Sequence, residues 1–290
     1  MLDISALACN FTADRDKIDI ANLKGKIGQF GGDSSIASYT IGSFSGDGNI
    51  SLQNWQLDKL HGCLALTDGR LESLAYLVAP YFKNISGAFS GDIFIAGKVS
   101  SPAIIGDIRL ADAGGYFGSL KTPLAGVNGQ LHLSGNQLEI VRLKGMMDKG
   151  TFNISGDVEL EGIKPTFLKL AVASDNARIN YSPCFDGLVA SELLISGPVA
   201  EPLIEGSIGI TNSRVSLAGL NGADKSFFHP ELNIKGTMGH GVEIILSKIS
   251  APVKGTLEIS GTLEAPRLEP RNMVADFGLF KIPIKNISLF

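Results

Sequence analysis

Three cysteines in 290 residues, Cys9, Cys63 and Cys184, are too few and too far apart for a disulfide framework or a metal-ligand spacing. Charge is sparse as well. Charged residues make up 19% of the chain and net charge is −4, with both signs interspersed. A nucleic-acid groove needs a basic stripe and stacking aromatics, and aromatics here reach only 7%. No stretch approaches the roughly 20 apolar residues of a membrane-spanning helix. The start, "MLDISALACNF", has no basic segment ahead of an apolar core, so it does not read as a signal peptide. Four histidines, His61, His132, His229 and His240, lie far apart, and the last two bracket a strand pattern rather than share a helix face. That excludes a zinc spacing. "GMMDKGTF" (145–152) has the glycines of a phosphate loop without its Gly-Lys-Ser/Thr end, and "GSFSGDGN" (42–49) has one carboxylate, too few for a hard cation. The expectation is a protein with no catalytic group, no metal and no cofactor, and no nucleic-acid partner.

What the chain does have is glycine, 35 of them, and a hydrophobic content of 44%. It also repeats itself. "IFIAGKVSSPAIIGDIRL" (93–110) and "LLISGPVAEPLIEGSIGI" (193–210) align without gaps, sharing the glycine, the proline and the apolar positions. "LEISGTLEAPRLEPRNMV" (257–274) is a third, drifting copy. Apolar residues alternate within each copy, the two-residue period of a strand with one buried face. Ile93, Ile95 and Val99 share a face, as do Leu193, Ile195 and Val199, and Leu257, Ile259 and Leu263. Past the proline the parity switches, to Ile104, Ile108 and Leu110 and to Ile204, Ile208 and Ile210. A switch across a short turn returns both strands' apolar side chains to one side of a sheet. Each copy is therefore read as a β-hairpin with one apolar face, at about 91–112, 191–212 and 255–275, completed by its neighbours as repeat units are.

Nearly all the rest reads as strand, "TFNISGDVEL" (151–160) most clearly. Asp47-Gly48, Asp68-Gly69, Asp186-Gly187 and Asn221-Gly222 are expected to be turns, and "GSFSGDGN" a glycine-rich turn between strands. One stretch breaks the pattern: Leu71, Leu74, Ala75 and Val78 at helical spacing before Pro80 predict a short amphipathic helix near 71–79. The expected fold is all-β, a long, mainly antiparallel, repetitive curved sheet forming an open β-groove or taco-like half-barrel. No linker divides the chain, so residues 1–290 are expected to form one continuous β-repeat segment.

A sheet with a continuous apolar face can close on itself, stack as a solenoid, or stay open and bind something apolar. Withdrawing a lipid's two acyl chains from water is worth about 0.8 kcal/mol per methylene, on the order of 20 kcal/mol for a phospholipid. A trough walled by paired strands and lined with Ile, Leu and Val meets that demand. The alternatives are a scaffold that assists assembly of other proteins without lipid conduction, and an adhesin-like β-solenoid whose apolar face is closed core.

"FSGDIFIAGKVSSPAIIGDIRLADAG" (89–114) and "ISGPVAEPLIEGSIGITNSRVSL" (195–217) resemble the recurrent Gly-x-Leu-x-Leu-x-Gly-x-Leu-x-x-Pro rhythm of the TamB-like, AsmA-like repeating β-groove families. "LESLAYLVAPYFKNISGAFSG" (71–91) resembles the lead-in to that hairpin, and "ISGTLEAPRLEP" (259–270) is a third match. The resemblance implies a periplasmic, envelope location and phospholipid movement between inner and outer membranes. It also implies outer-membrane protein assembly with a barrel partner of the TamA/BamA type, and attachment to the inner membrane through an anchor not present in this chain. It brings no catalytic residues. The alternating apolar positions of the three hairpins are the expected lining for acyl chains.

Overall fold

The computed structural model describes residues 2–29, 39–75, 79, 81–118, 120–162, 164–181, 183–216, 229–246, 249–262, 265–277 and 280–284. The chain divides into two compact units, Met1–Gly118 with Gly126–Val141, and Ser119–Ala125 with Arg142–Phe290. Both are all-β.

The first unit is built on a meander. Strands β1 (Leu2–Ala13), β2 (Lys17–Gln29), β3 (Tyr39–Gln53), β4 (Gln56–Arg70), β5 (Phe82–Lys98) and β6 (Ser101–Phe117) each pair antiparallel with the next. β7 (Leu124–Ser134) belongs to this unit from Gly126 on, and β8 (Gln137–Met147) as far as Val141. β7 is tied to β6 by the Asn128 side chain, whose Oδ1 accepts from the Asp112 N–H at 3.2 Å.

The second unit carries β9 (Gly150–Glu161), β10 (Lys164–Tyr181), β11 (Phe185–Pro198) and β12 (Leu203–Ser216), again consecutive and antiparallel. β13 (Glu231–Met238) and β14 (Val242–Leu246) then both lie parallel to β12 and antiparallel to β15 (Ile249–Thr262). They act as one strand interrupted at Gly239–Gly241. β16 (Pro266–Asp276) and β17 (Lys281–Ile284) continue the antiparallel ladder. The parallel pairing is the exception within a mainly antiparallel arrangement.

Of the helix expected near 71–79, the described residues show a 3-10 turn over Leu71–Leu74 that lies against β3 and β5 and runs into Ala75 with right-handed helical backbone. The tight turn stacks Leu71 over Leu74 at i,i+3. Residues 76–78 and 80 lie outside the described residues. The Asp-Gly pairs are not turns. Asp47-Gly48, with the whole of "GSFSGDGN", lies inside β3, Asp68-Gly69 inside β4 and Asp186-Gly187 inside β11. Asn221-Gly222 is outside the described residues.

These pairs mark bulges or support them. Asn22, Asp68, Asn84 and Asp112 in the first unit, and Asn176, Asn212 and Asn272 in the second, have φ between 46° and 54° and sit at shifts in strand register. Asn and Asp tolerate that left-handed conformation better than other side chains. The Asp47 carboxylate caps one of them, its Oδ1 accepting from the Asn22 N–H at 2.8 Å. A bulge bends its strand and adds twist. It also flips side-chain parity. Leu268 and Met273 are an odd number of residues apart on β16, yet both join one apolar cluster, because the extra residue at Asn272 falls between them. That cluster is the core of the second unit: Met238, Val242, Ile244, Val253, Leu257, Met273 and Ala275, flanked by Ile210, Val215, Ile259 and Leu268.

Candidate functional site: an aliphatic sheet face

In the first unit Ile95 stands directly opposite Ile104, Ile93 opposite Gly106, Gly91 opposite Ile108 and Phe89 opposite Leu110. Cross-strand partners share a face, so the five strand residues predicted from this copy lie together on one face of β5 and β6. In the second unit Ile195 stands opposite Ile204, Leu193 opposite Gly206, Ser191 opposite Ile208 and Val189 opposite Ile210. The parallel strand β13 carries this face on, with Leu232, Ile234, Gly236 and Met238 beside Ile204, Gly206, Ile208 and Ile210. β15 then brings in the third copy, Ile259 beside Ile234 and Leu257 beside Gly236.

Reading straight across the strands gives continuous rows, interrupted only by glycines and one proline. One runs Ile154, Val172, Leu193, Gly206, Ile234, Ile259, Leu268. The next runs Gly156, Leu170, Ile195, Ile204, Leu232, Gly261, Pro266. Ile154, Gly156, Leu170, Val172, Leu232 and Ile234 had no part in the repeated sequence. Leu168, Leu170 and Val172 of β10 alternate in the sequence, and so do Leu232 and Ile234 of β13; the period-two signal was there without the glycine and proline that draw attention to a copy.

Ile93, Ile95, Ile104, Ile108, Leu110, Leu193, Ile195, Ile204, Ile208, Ile210 and Ile259 are half-buried, neither sealed in a core nor fully in water. Leu257 is the exception, buried at 5% exposure within the core cluster. Leu263 lies outside the described residues. Val99 and Val199 are not on the strands. Both occupy the hairpin turn, where the Val99 N–H donates to the Asp58 carbonyl at 2.9 Å and the Val199 N–H to the Thr166 carbonyl at 3.0 Å. The two copies thus share a bond that ties each turn to the preceding strand. The shared glycine and proline are explained at the same place. Gly97 faces Pro102 and Gly261 faces Pro266 across the ladder, with φ of 112° and 86°; Gly197, at 115°, sits 3.5 Å from the Pro202 Cα measured from an added β-carbon. Positive φ favours glycine, and a proline there lacks only a donor that the chain reversal does not use.

The opposite face mixes charged and exposed apolar groups: Glu192 pairs with Ser207, Asp92 with Asp107 and Glu258 with Glu269, while Phe94 stands opposite Ile105 and Leu194 opposite Glu205. Basic side chains meet these acids: Arg271 contacts Glu258 at 3.0 Å and Glu269 at 3.1 Å, and the Glu258 carboxylate above all raises its pKa, while His132 Nδ1 lies 3.0 Å from Asp107 Oδ1. Such exposed pairs contribute little stability but keep this face wetted. Among the described residues no group of three His, Cys, Asp or Glu could hold a metal ion, and no helix is long and apolar enough to cross a membrane. Cys184 is buried, and burial pushes its thiol pKa up.

No curated protein and no solved structure matches this chain. A family model does: the TamB C-terminal domain, over residues 141–227. The match runs from the end of β8 through β12, taking in the second repeat copy with its Ile195–Ile204 pair. TamB proteins belong to the bacterial envelope. Residues 141–227, which carry the Ile195–Ile204 part of this face, are thus similar to the TamB C-terminal domain and support a TamB/AsmA-like segment in this chain.

Proposed function

We propose that this chain is a length of apolar β-groove that carries phospholipid acyl chains between the inner and outer membranes of the bacterial envelope. The observation that carries the reading is the aliphatic run Leu170, Ile195, Ile204, Leu232 across four strands, half-buried except at Leu232, which is buried. Removing each methylene from water is worth about 0.8 kcal/mol, so a chain must stay covered at every step or regain most of the barrier. Rows that run from strand to strand supply that cover in the direction of travel. A paired backbone floor offers no free donor to an acyl chain and asks for none. A soluble sheet tolerates a long accessible apolar face only where something apolar visits it. The TamB segment fits a part in lipid transport or outer-membrane protein assembly, in the periplasm.

A photo-crosslinking residue at Ile195 or Ile208 should capture phospholipid from vesicles, and one at Glu192 or Ser207 should not. Equal labelling of the two faces would end the reading.

A second reading is favoured by β17, which pairs with β16 and carries Ile282 at 55% exposure. Among the described residues only β16 pairs with it, and a strand with an open edge can pair with a client strand, as a scaffold for outer-membrane protein assembly beside a barrel partner of the TamA/BamA type would require. In that case crosslinks from Ile282 would recover barrel protein while Ile195 recovered no lipid.

A further inference from the structure

One row on the aliphatic face of the first unit reads Phe11, Ile20, Gly48, Gly62, Ile95, Ile104. Two adjacent strands therefore present no side chain at the same level. Several other glycines on this face are dictated by their neighbours. A β-carbon on Gly25 would come within 2.5 Å of the Phe44 ring, one on Gly69 within 2.6 Å of the Phe89 ring, and one on Gly46 within 2.9 Å of Leu64 Cδ2. Gly48 is also constrained, with the His61 carbonyl oxygen 2.7 Å from such an atom.

Gly62 is not. Its φ is outside the positive region, and a β-carbon there would meet only the Asp47 carbonyl oxygen at 3.4 Å and the Gly48 Cα at 3.7 Å, ordinary contacts. A glycine inside a strand forgoes side-chain packing and costs backbone entropy. Folding alone would favour a side chain at this position. The recess is bounded by Ile20, Ile50, Leu60, Leu64 and Ile95, all half-buried and aliphatic. It spans two strand spacings, about 10 Å. Its floor is ladder-paired backbone, so it has neither charge nor free donors for a headgroup.

We propose that the Gly48–Gly62 recess is a subsite for a phospholipid acyl chain, and that Gly62 stays bare for the chain that passes over it. This rests on the groove reading above and adds to it a specific resting place. A valine at Gly62 suits strand geometry and would fill the recess with two methyl groups.

The test uses the whole chain with a photo-crosslinking residue at Ile95 or, separately, at Ile195, exposed to vesicles of phosphatidylethanolamine and phosphatidylglycerol. Gly62→Val should keep or raise the melting temperature and lower lipid capture at Ile95 at least fivefold. Capture at both positions in the parent chain with no loss at Ile95 in Gly62→Val overturns the subsite and leaves the groove standing. No capture at either position in the parent chain overturns the groove and the subsite together. A melting temperature lowered by several degrees in both Gly62→Val and Gly62→Ala would make Gly62 a structural glycine and overturn the proposal.

Discussion

Ile195 and Ile204 face each other across β11 and β12, as Ile95 and Ile104 do across β5 and β6. The equivalence makes the aliphatic pair the repeated unit, with the glycine and proline setting the turn that brings the pair together. Directly opposed aliphatic residues on one face are coupled by about 0.2–1 kcal/mol. Ile195→Ala and Ile204→Ala should each destabilise, and the double variant should cost less than their sum by that amount. Urea unfolding of the four proteins measures it; strict additivity would show that the two side chains do not touch.

Half-burial and full burial should separate cleanly in the second unit. Met273 is 2% exposed within the core cluster, so Met273→Ala should cost about 2–5 kcal/mol. Leu194 projects from the face opposite Ile195 at 42% exposure, and Leu194→Ser should stay within about 0.5 kcal/mol. Denaturant midpoints decide both. A large loss at Leu194 would mean that its face is covered.

The hairpins were legible in the sequence because two signals coincided there: alternation that shows which side chains share a face, and a glycine–proline pair that marks the reversal. Where the signals parted, the reading failed. Asp68 and Asp186 stand beside glycines at points where apolar parity switches, which is also how a turn looks. A bulge produces the same switch by inserting one residue without reversing the chain. Only the register, with Gly69 opposite Phe89 in mid-ladder, separates the two. Leu71 and Leu74 have a spacing that suits a 3-10 turn as well as a helix, and a 3-10 turn is what those residues form. The parallel placement of β13 beside β12 left no local mark, because strand direction in a sheet is set by how the chain returns and not by composition.

The β1–β2 turn should respond to acid. The Asp14 Oδ1 accepts from the N–H groups of Asp16 and Lys17 at 2.8 and 2.9 Å, and these bonds hold its pKa below the ordinary 3.8. A lowered folded-state pKa means that the charged form supports the turn at pH above 3.8, and that this support is lost as pH falls through the lower value. The amide proton shifts of Asp16 and Lys17 should titrate with a midpoint below 3.8, and the titration should vanish in Asp14→Asn. A midpoint at or above the ordinary value would show that the bonds do not persist in solution.

Asn212 tests whether bulges shape the aliphatic face. Its φ is 46°, its N–H donates to the His240 carbonyl at 2.9 Å, and the following N–H, from Ser213, donates to Gly241 at 2.9 Å. At this one residue β12 leaves β13 and takes up β14, and parity flips so that Ile210 and the buried Ser213 turn to the same side. Glycine can hold that backbone freely, so Asn212→Gly should be close to neutral. A β-branched residue cannot do so without about 1–2 kcal/mol of strain, and removing the bulge to escape it would turn Ser213 and Val215 to the opposite face. Asn212→Val should therefore lower the unfolding midpoint and speed amide exchange in β14, whose partners lie just beyond the bulge, while β9 and β10 keep their protection. Equal stability of the valine and glycine variants would mean that the strand can run straight at this point and that the bulge does not direct the face.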